Sequence, residues 1–101
     1  MKDKVMPQDA PLSAQDIVEL HPMYLLRWEE AEHAHVLLYP EGIVKLNQSG
    51  AEILKRCNGL RSIAEVVAEL KSDFVSDQDI EPDIYAFLEI SNDKGWTRIK
   101  A

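Results

Sequence analysis

LLYPEGIVKLNQSGAEILKRCNGLRSIAEVVAEL, residues Leu37 to Leu70, joins the end of an apolar strand to a tight turn, a short second strand and two amphipathic helices. Pro40 supplies a fixed φ and Gly42 a residue free to take positive φ, so Pro40-Glu41-Gly42 predicts a turn into an extended Ile43-Val44-Lys45-Leu46. Helical chemistry follows at once. Asn47 and Ser49 are both favourable N-cap residues, Ser49 and Glu52 have capping-box spacing, and Ala51, Ile53, Leu54 and Cys57 cluster on one side. Asn58-Gly59 reads as the left-handed stop of that helix. Ser62 and Glu65 repeat the capping box, and Ile63, Val66, Val67 and Leu70 fall at i, i+3, i+4 and i+7, with Phe74 closing the second helix.

Upstream, Met23 to Trp28 and His35 to Tyr39 are apolar runs of strand length separated by the polar Glu29-Glu30-Ala31-Glu32. They predict a hairpin that Ile43 to Leu46 extends to a three-stranded meander with the third strand at an edge. Ile17 to Leu20 reads as a helical turn or short strand ended by Pro22, which restricts the residue before it. Met1 to Leu12 mixes Lys, Asp and Pro with few apolar residues and reads as a mobile tail, leaving residues 13–101 as the domain. Downstream, Pro82 fits the first turn of a third helix starting near Glu81, although Asp77 and Asp79 offer earlier caps. Ile80, Ile84, Phe87 and Leu88 recur at helical spacing, Gly95 stops the helix, and Trp96 to Ile99 packs back as a short extension. The fold class is α+β and winged-helix-like, a three-stranded antiparallel sheet followed by three helices.

The chain has 101 residues, enough for one compact core and too few for two ordinary domains. Eleven basic against 18 acidic residues leave a formal charge of -7, which disfavours phosphate-rich partners. The single cysteine, Cys57, makes no internal disulfide, and neither a signal-peptide pattern nor a membrane-length apolar run is present, so a cytoplasmic location is expected.

Few residues suggest chemistry. His33 and His35 share one strand face, with His21 as a third imidazole, and a small metal-dependent enzyme built on them is one reading. No cysteine or carboxylate stands at a recognised ligand spacing, so we read them as strand histidines and expect no metal and no cofactor. Cys57 lies on the apolar side of a helix end and reads as a small buried side chain. No P-loop, dinucleotide-binding glycine pattern or nucleophile elbow occurs, and no enzyme activity is expected. The alternative to a binding module is a winged-helix DNA-binding transcription regulator. Its candidate recognition helix carries Glu81, Asp83, Glu89 and Asp93 and no Lys or Arg up to Asp93, which repels a phosphate-lined groove. Lys45, Lys55, Arg56 and Arg61 instead suggest a mildly basic side between Gly42 and Arg61.

The strand edge is the remaining functional signal. Unpaired backbone groups along Ile43 to Leu46 can accept an extended peptide as an added strand, or a second copy of the chain, so either a monomer or a homodimer is expected. The third helix, through some of Ile84, Tyr85, Phe87 and Leu88, offers an apolar wall.

The ordered string Tyr39-Pro40-Glu41-Gly42, Leu46-Asn47, Ala51-Glu52-Ile53-Leu54, Cys57-Asn58-Gly59 and Ile63-Ala64-Glu65-Val66-Val67, preceded by Trp28-Glu29-Glu30-Ala31, resembles the PqqD family of peptide chaperones in pyrroloquinoline quinone (PQQ) biosynthesis. The resemblance runs from near Leu20 to near Gly95. It implies the fold of a RiPP recognition element, a domain that recognises the precursors of ribosomally made, modified peptides. It further implies delivery without catalysis: binding of the precursor peptide PqqA and its presentation to the radical S-adenosylmethionine (SAM) enzyme PqqE, which cross-links a glutamate and a tyrosine. By the same resemblance, Ile43, Val44, Lys45 and Leu46 would pair with the peptide, and Ile84, Tyr85 and Leu88 would line its groove.

Overall fold

A computed structural model describes residues 12–74 and 79–100. The expected tail, apart from Leu12, and the alternative cap Asp77 lie outside the described residues. Leu12 itself packs against the core.

The meander forms as expected. β2 (Leu25–Glu29), β3 (Ala34–Tyr39) and β4 (Gly42–Lys45) pair antiparallel in that order, and among the described residues β4 has one open side. The register aligns Leu26 with Leu37 and Leu37 with Val44 on the core face. Between β2 and β3 the chain turns through His33, at φ 55°. Gly42 keeps an ordinary strand φ, since the positive-φ glycines among the described residues are Gly59 and Gly95. A Cβ there would lie 3.2 Å from Tyr39 Oη, so a larger residue would displace the tip of that side chain by a few tenths of an ångström.

Three helices follow. α1 (Gln48–Lys55) is capped by Asn47, whose side chain accepts from the Gly50 N–H at 2.7 Å; Ser49 sits inside the helix. α2 (Ile63–Asp73) carries the full Ser62–Glu65 capping box, buries Ile63, Val66, Val67 and Leu70, and ends at Phe74. α3 (Glu81–Lys94) begins with Pro82 in its first turn and ends at Gly95, φ 83°. The fold class is therefore α+β and winged-helix-like as expected.

A second three-stranded sheet, which local pattern did not disclose, closes the domain. β1 (Ile17–Leu20) lies between β5 (Asn58–Ser62) and β6 (Thr97–Ile99). Asn58-Gly59 thus corrects the expected helix stop. α1 already ends at Arg56, where the Arg56 N–H donates to the Ile53 carbonyl and the Cys57 N–H to the Leu54 carbonyl, and Asn58-Gly59 opens β5 instead. The left-handed glycine serves an irregularity in the β1–β5 register, where Gly59 has φ 81° and faces Glu19. The core lies among the helices and the inner faces of the two sheets, with Leu37, Ile63 and Leu88 wholly buried.

Candidate functional site

The open side of β4 can be read group by group. The Leu46 N–H donates to the His35 carbonyl at 3.0 Å, so His35 and Leu46 form a hydrogen-bonded pair. Hydrogen-bonded and non-hydrogen-bonded pairs alternate along an antiparallel ladder. Leu37–Val44 and Tyr39–Gly42 therefore share the bonded status, and the N–H and C=O groups of Ile43 and Lys45 point away from β3 to the open edge. Side chains alternate accordingly. Val44 and Leu46 turn to the core, whereas Ile43 is 53 % exposed and Lys45 reaches the Glu32 carboxylate at 3.7 Å.

Beyond the end of β4 the surface hollows into a cleft of about 460 Å³. Asn47, Gly50 and Ile53 of the α1 segment form one wall, and Ile80, Ile84 and Phe87 of the α3 segment the other, with Leu70 and Phe74 at one end. Gly50 makes this closeness possible, since a Cβ there would stand 2.9 Å from Phe87 Cε1. Its lining is mostly apolar, with Glu52 and Asp83 among the polar contributors. Another depression, about 520 Å³ beside β5 and α2, is lined by Asn58, Leu60, Arg61, Glu65, Ala68 and Glu69.

The expected helix residues take different places. Ile84, 2 % exposed, forms part of the cleft floor, and Leu88, 0 % exposed, lies wholly in the core. Tyr85 is half-buried away from the cleft lining; burial first, and then the Glu81 and Asp16 carboxylates, push its phenol above the usual value. Sequence reasoning overlooked Gly50, Phe74 and Ile80 as cleft residues. A glycine inside a helix costs about 1 kcal/mol relative to alanine, so Gly50 was a local sign of close packing.

Electrostatics correct the expected basic side. Arg56 donates to the Glu52 carboxylate at 3.0 Å, the Glu69 carboxylate at 3.1 Å and the Asp73 carboxylate at 2.8 Å, tying the end of α1 to α2. Arg61 also pairs with Glu69, Lys55 with Glu52 and Lys45 with Glu32. Each cation in that stretch has an acidic neighbour, so no patch attractive to nucleic acid forms there. The Arg56 hydrogen bond holds the Glu52 carboxyl below the usual range, and that from Arg61 does the same for Glu69.

The histidines and the cysteine are held by their surroundings. The His33 and His35 rings stand edge-on to Trp28, at centroid distances of 5.6 and 5.2 Å, and the His21 Nδ1 accepts from the Met23 N–H. Among the described residues no group of three or more His, Cys, Asp or Glu side chains is placed to hold a metal. Cys57 is buried, and desolvation pushes its thiol up to about 12, leaving it protonated at neutral pH. No described helix is long and apolar enough to cross a membrane.

Known proteins agree with this architecture. The family model described as Coenzyme PQQ synthesis protein D (PqqD) matches residues 34–96. A "PqqA binding protein" of Azotobacter vinelandii is 45% identical over 84 residues, covering 83% of this chain and 91% of the relative. One of Pseudomonas aeruginosa is 41% identical over 88 residues, covering 87% and 96%. The solution structure of the PqqD portion of Methylobacterium extorquens PqqCD, described as a functional, stand-alone RiPP recognition element, superposes with a TM-score of 0.74. It is 28% identical, and the match covers 92% of this chain and 99% of that one. With the family model spanning more than half of the sequence and these relatives matched over most of theirs, the chain belongs to the PqqD family.

Proposed function

We propose that this chain binds the precursor peptide PqqA as an added strand on β4 and presents it to the radical SAM enzyme PqqE, without catalysing a reaction itself. The observation that carries the reading is the outward pair of backbone groups at Ile43 and Lys45, on an edge whose end meets an apolar cleft. A peptide lying along β4 gains main-chain hydrogen bonds there, while side chains reaching the cleft add selectivity. Ile43 and Lys45 contribute the ladder groups, and Val44 and Leu46 anchor the strand to the core. Ile84 floors the groove; Leu88 and Tyr85 act by seating α3. Relatives named as PqqA binding proteins support the identity of the peptide.

Delivery follows from tethering. An extended precursor loses conformational entropy on binding, and a preformed edge offsets that loss while raising the peptide's concentration beside the enzyme. The working unit is residues 13–101, acting in the cytoplasm. The acidic α3 and the paired cations do not favour the DNA-binding alternative.

Titration of isotopically labelled protein with PqqA tests the reading. Amide shifts concentrated at Gly42 to Leu46 and around the cleft are expected, with slower PqqE turnover of PqqA when the chain is omitted. Absence of any shift at saturating peptide would overturn it.

A further inference from the structure

Side chains alternate across a pleated sheet, so a meander that turns Leu26, Leu37 and Val44 to the core presents two other rows on its outer face. Leu25, Leu38 and Ile43 are aligned across β2, β3 and β4 in one row, and Arg27, Val36 and Lys45 in the next. None of these side chains packs into the core cluster. The first row is apolar, with Leu25 and Ile43 57 % and 53 % exposed. The second is basic at both ends. Arg27 pairs with Glu29 at 3.3 Å and Lys45 with Glu32 at 3.7 Å, yet both cations remain more than half exposed, with the wholly buried Val36 between them.

Both rows run out at the open edge of β4, where the outward backbone groups belong to the same two residues, Ile43 and Lys45. A strand added there extends the sheet by one, and its side chains beside Ile43 and Lys45 fall on the outer face. We infer that this face reads the bound peptide through a short motif: an apolar residue beside Ile43, an acidic residue beside Lys45, and between them one residue that turns to the opposite face. The inference rests on strand addition at β4 and adds which side chains of the peptide are selected there.

The spacing follows from the pleat in either strand direction, because side chains on one face recur at every second residue. Charge sets the residue type at one position. Lys45 faces away from the core with a partner, Glu32, that is itself 52 % exposed, so exchanging that partner for a peptide carboxylate costs little, whereas a basic peptide residue meets a like charge. Burial sets the other. An apolar side chain beside Ile43 continues the Leu25-Leu38-Ile43 row and removes exposed apolar surface from water. Selection on this face is separate from that of the cleft, whose lining contains none of these residues.

Calorimetric titration of the full chain with PqqA and a set of its single-residue variants tests the motif through double-mutant cycles. Lys45→Glu should weaken PqqA about fivefold, the range of an exposed charge pair. Replacing one acidic PqqA residue by lysine should do the same with the unaltered chain and recover affinity with Lys45→Glu. Ile43→Ala should also weaken binding about fivefold. Alanine at the PqqA residue two positions from that acidic one should cost about threefold or more with the unaltered chain and less than about twofold with Ile43→Ala. Circular dichroism checks that each variant folds. If no PqqA position couples to Lys45 or Ile43 while the peptide still shifts the Gly42 to Leu46 amides, the motif is overturned and strand addition stands. Absence of coupling together with slower PqqE turnover in Ile43→Ala would assign the apolar row to the enzyme and equally overturn the motif.

Discussion

Replacing Lys45 by proline removes one outward N–H from β4 without deleting any bond to β3, because the inward groups belong to Val44 and Leu46. Proline is tolerated at an edge where its missing donor faces solvent, and Val44 before it is already extended, as a residue preceding proline must be. The Lys45–Glu32 ion pair is also lost, but both side chains are more than half exposed and the pair contributes at most about 1 kcal/mol. The domain should therefore remain folded. A peptide added along β4 loses a ladder hydrogen bond contributing about 0.5–1.5 kcal/mol net, and the proline ring crowds the position of the partner carbonyl. At about 1.4 kcal/mol per tenfold, the dissociation constant for PqqA should rise roughly tenfold. Lys45→Gln, which keeps the N–H and loses the charge, should change affinity by less than about threefold. Val44→Pro should behave oppositely. It deletes the donor to the wholly buried Leu37, leaving a carbonyl unsatisfied at a cost of about 1–3 kcal/mol, and each kcal/mol lowers the midpoint of a domain this size by about 4–8 °C. Calorimetric titration and thermal melts separate these outcomes. Unchanged PqqA affinity in folded Lys45→Pro would refute pairing at this edge.

Three further outcomes follow from the packing. In Gly50→Ala, better helix propensity contributes about 1 kcal/mol, but a methyl 2.9 Å from Phe87 Cε1 forces the ring aside at a typical overpacking cost of about 1–3 kcal/mol. Net destabilisation of up to about 2 kcal/mol is expected in urea unfolding, relieved by adding Phe87→Leu. Arg56→Met should destabilise by about 1–3 kcal/mol through loss of the α1–α2 tie, and it should flatten the acid limb of the stability curve. The sign follows from Glu52: its folded carboxyl titrates below the ordinary 4.5, so its contribution is complete above that pH and is lost as pH falls through the lower folded value. Urea midpoints measured from pH 6 down to pH 3 check this. Cys57, buried with its thiol pushed up to about 12, should not react with a disulfide reagent at pH 8 until the protein unfolds, and rapid labelling of native protein would contradict its placement.

Signals contained within a few neighbouring residues were legible in advance. The Ser62–Glu65 box, Pro82 with Gly95 at the two ends of α3, and Pro40 at the β3–β4 turn each use chemistry that a local backbone must satisfy, and each appears where expected. The edge position of β4 was legible for a related reason: a tight turn from β3 and an immediate helix leave it without another sequential partner. Asn58-Gly59 misled because the left-handed conformation that ends a helix also serves an irregular strand pairing, and the local sequence does not distinguish them.

What the sequence by itself determined is thus the order of elements, the helix caps, the family and the strand that stands open. Tertiary structure alone decided the β5-β1-β6 sheet, because Leu20 and Thr97 become partners only when distant segments close around the core. It also decided which Lys and Arg side chains are neutralised, which backbone groups of β4 face outward, and that Gly50 and Phe87 meet at the cleft. Those properties depend on distances between chain segments, and periodicity along one segment carries no such distances.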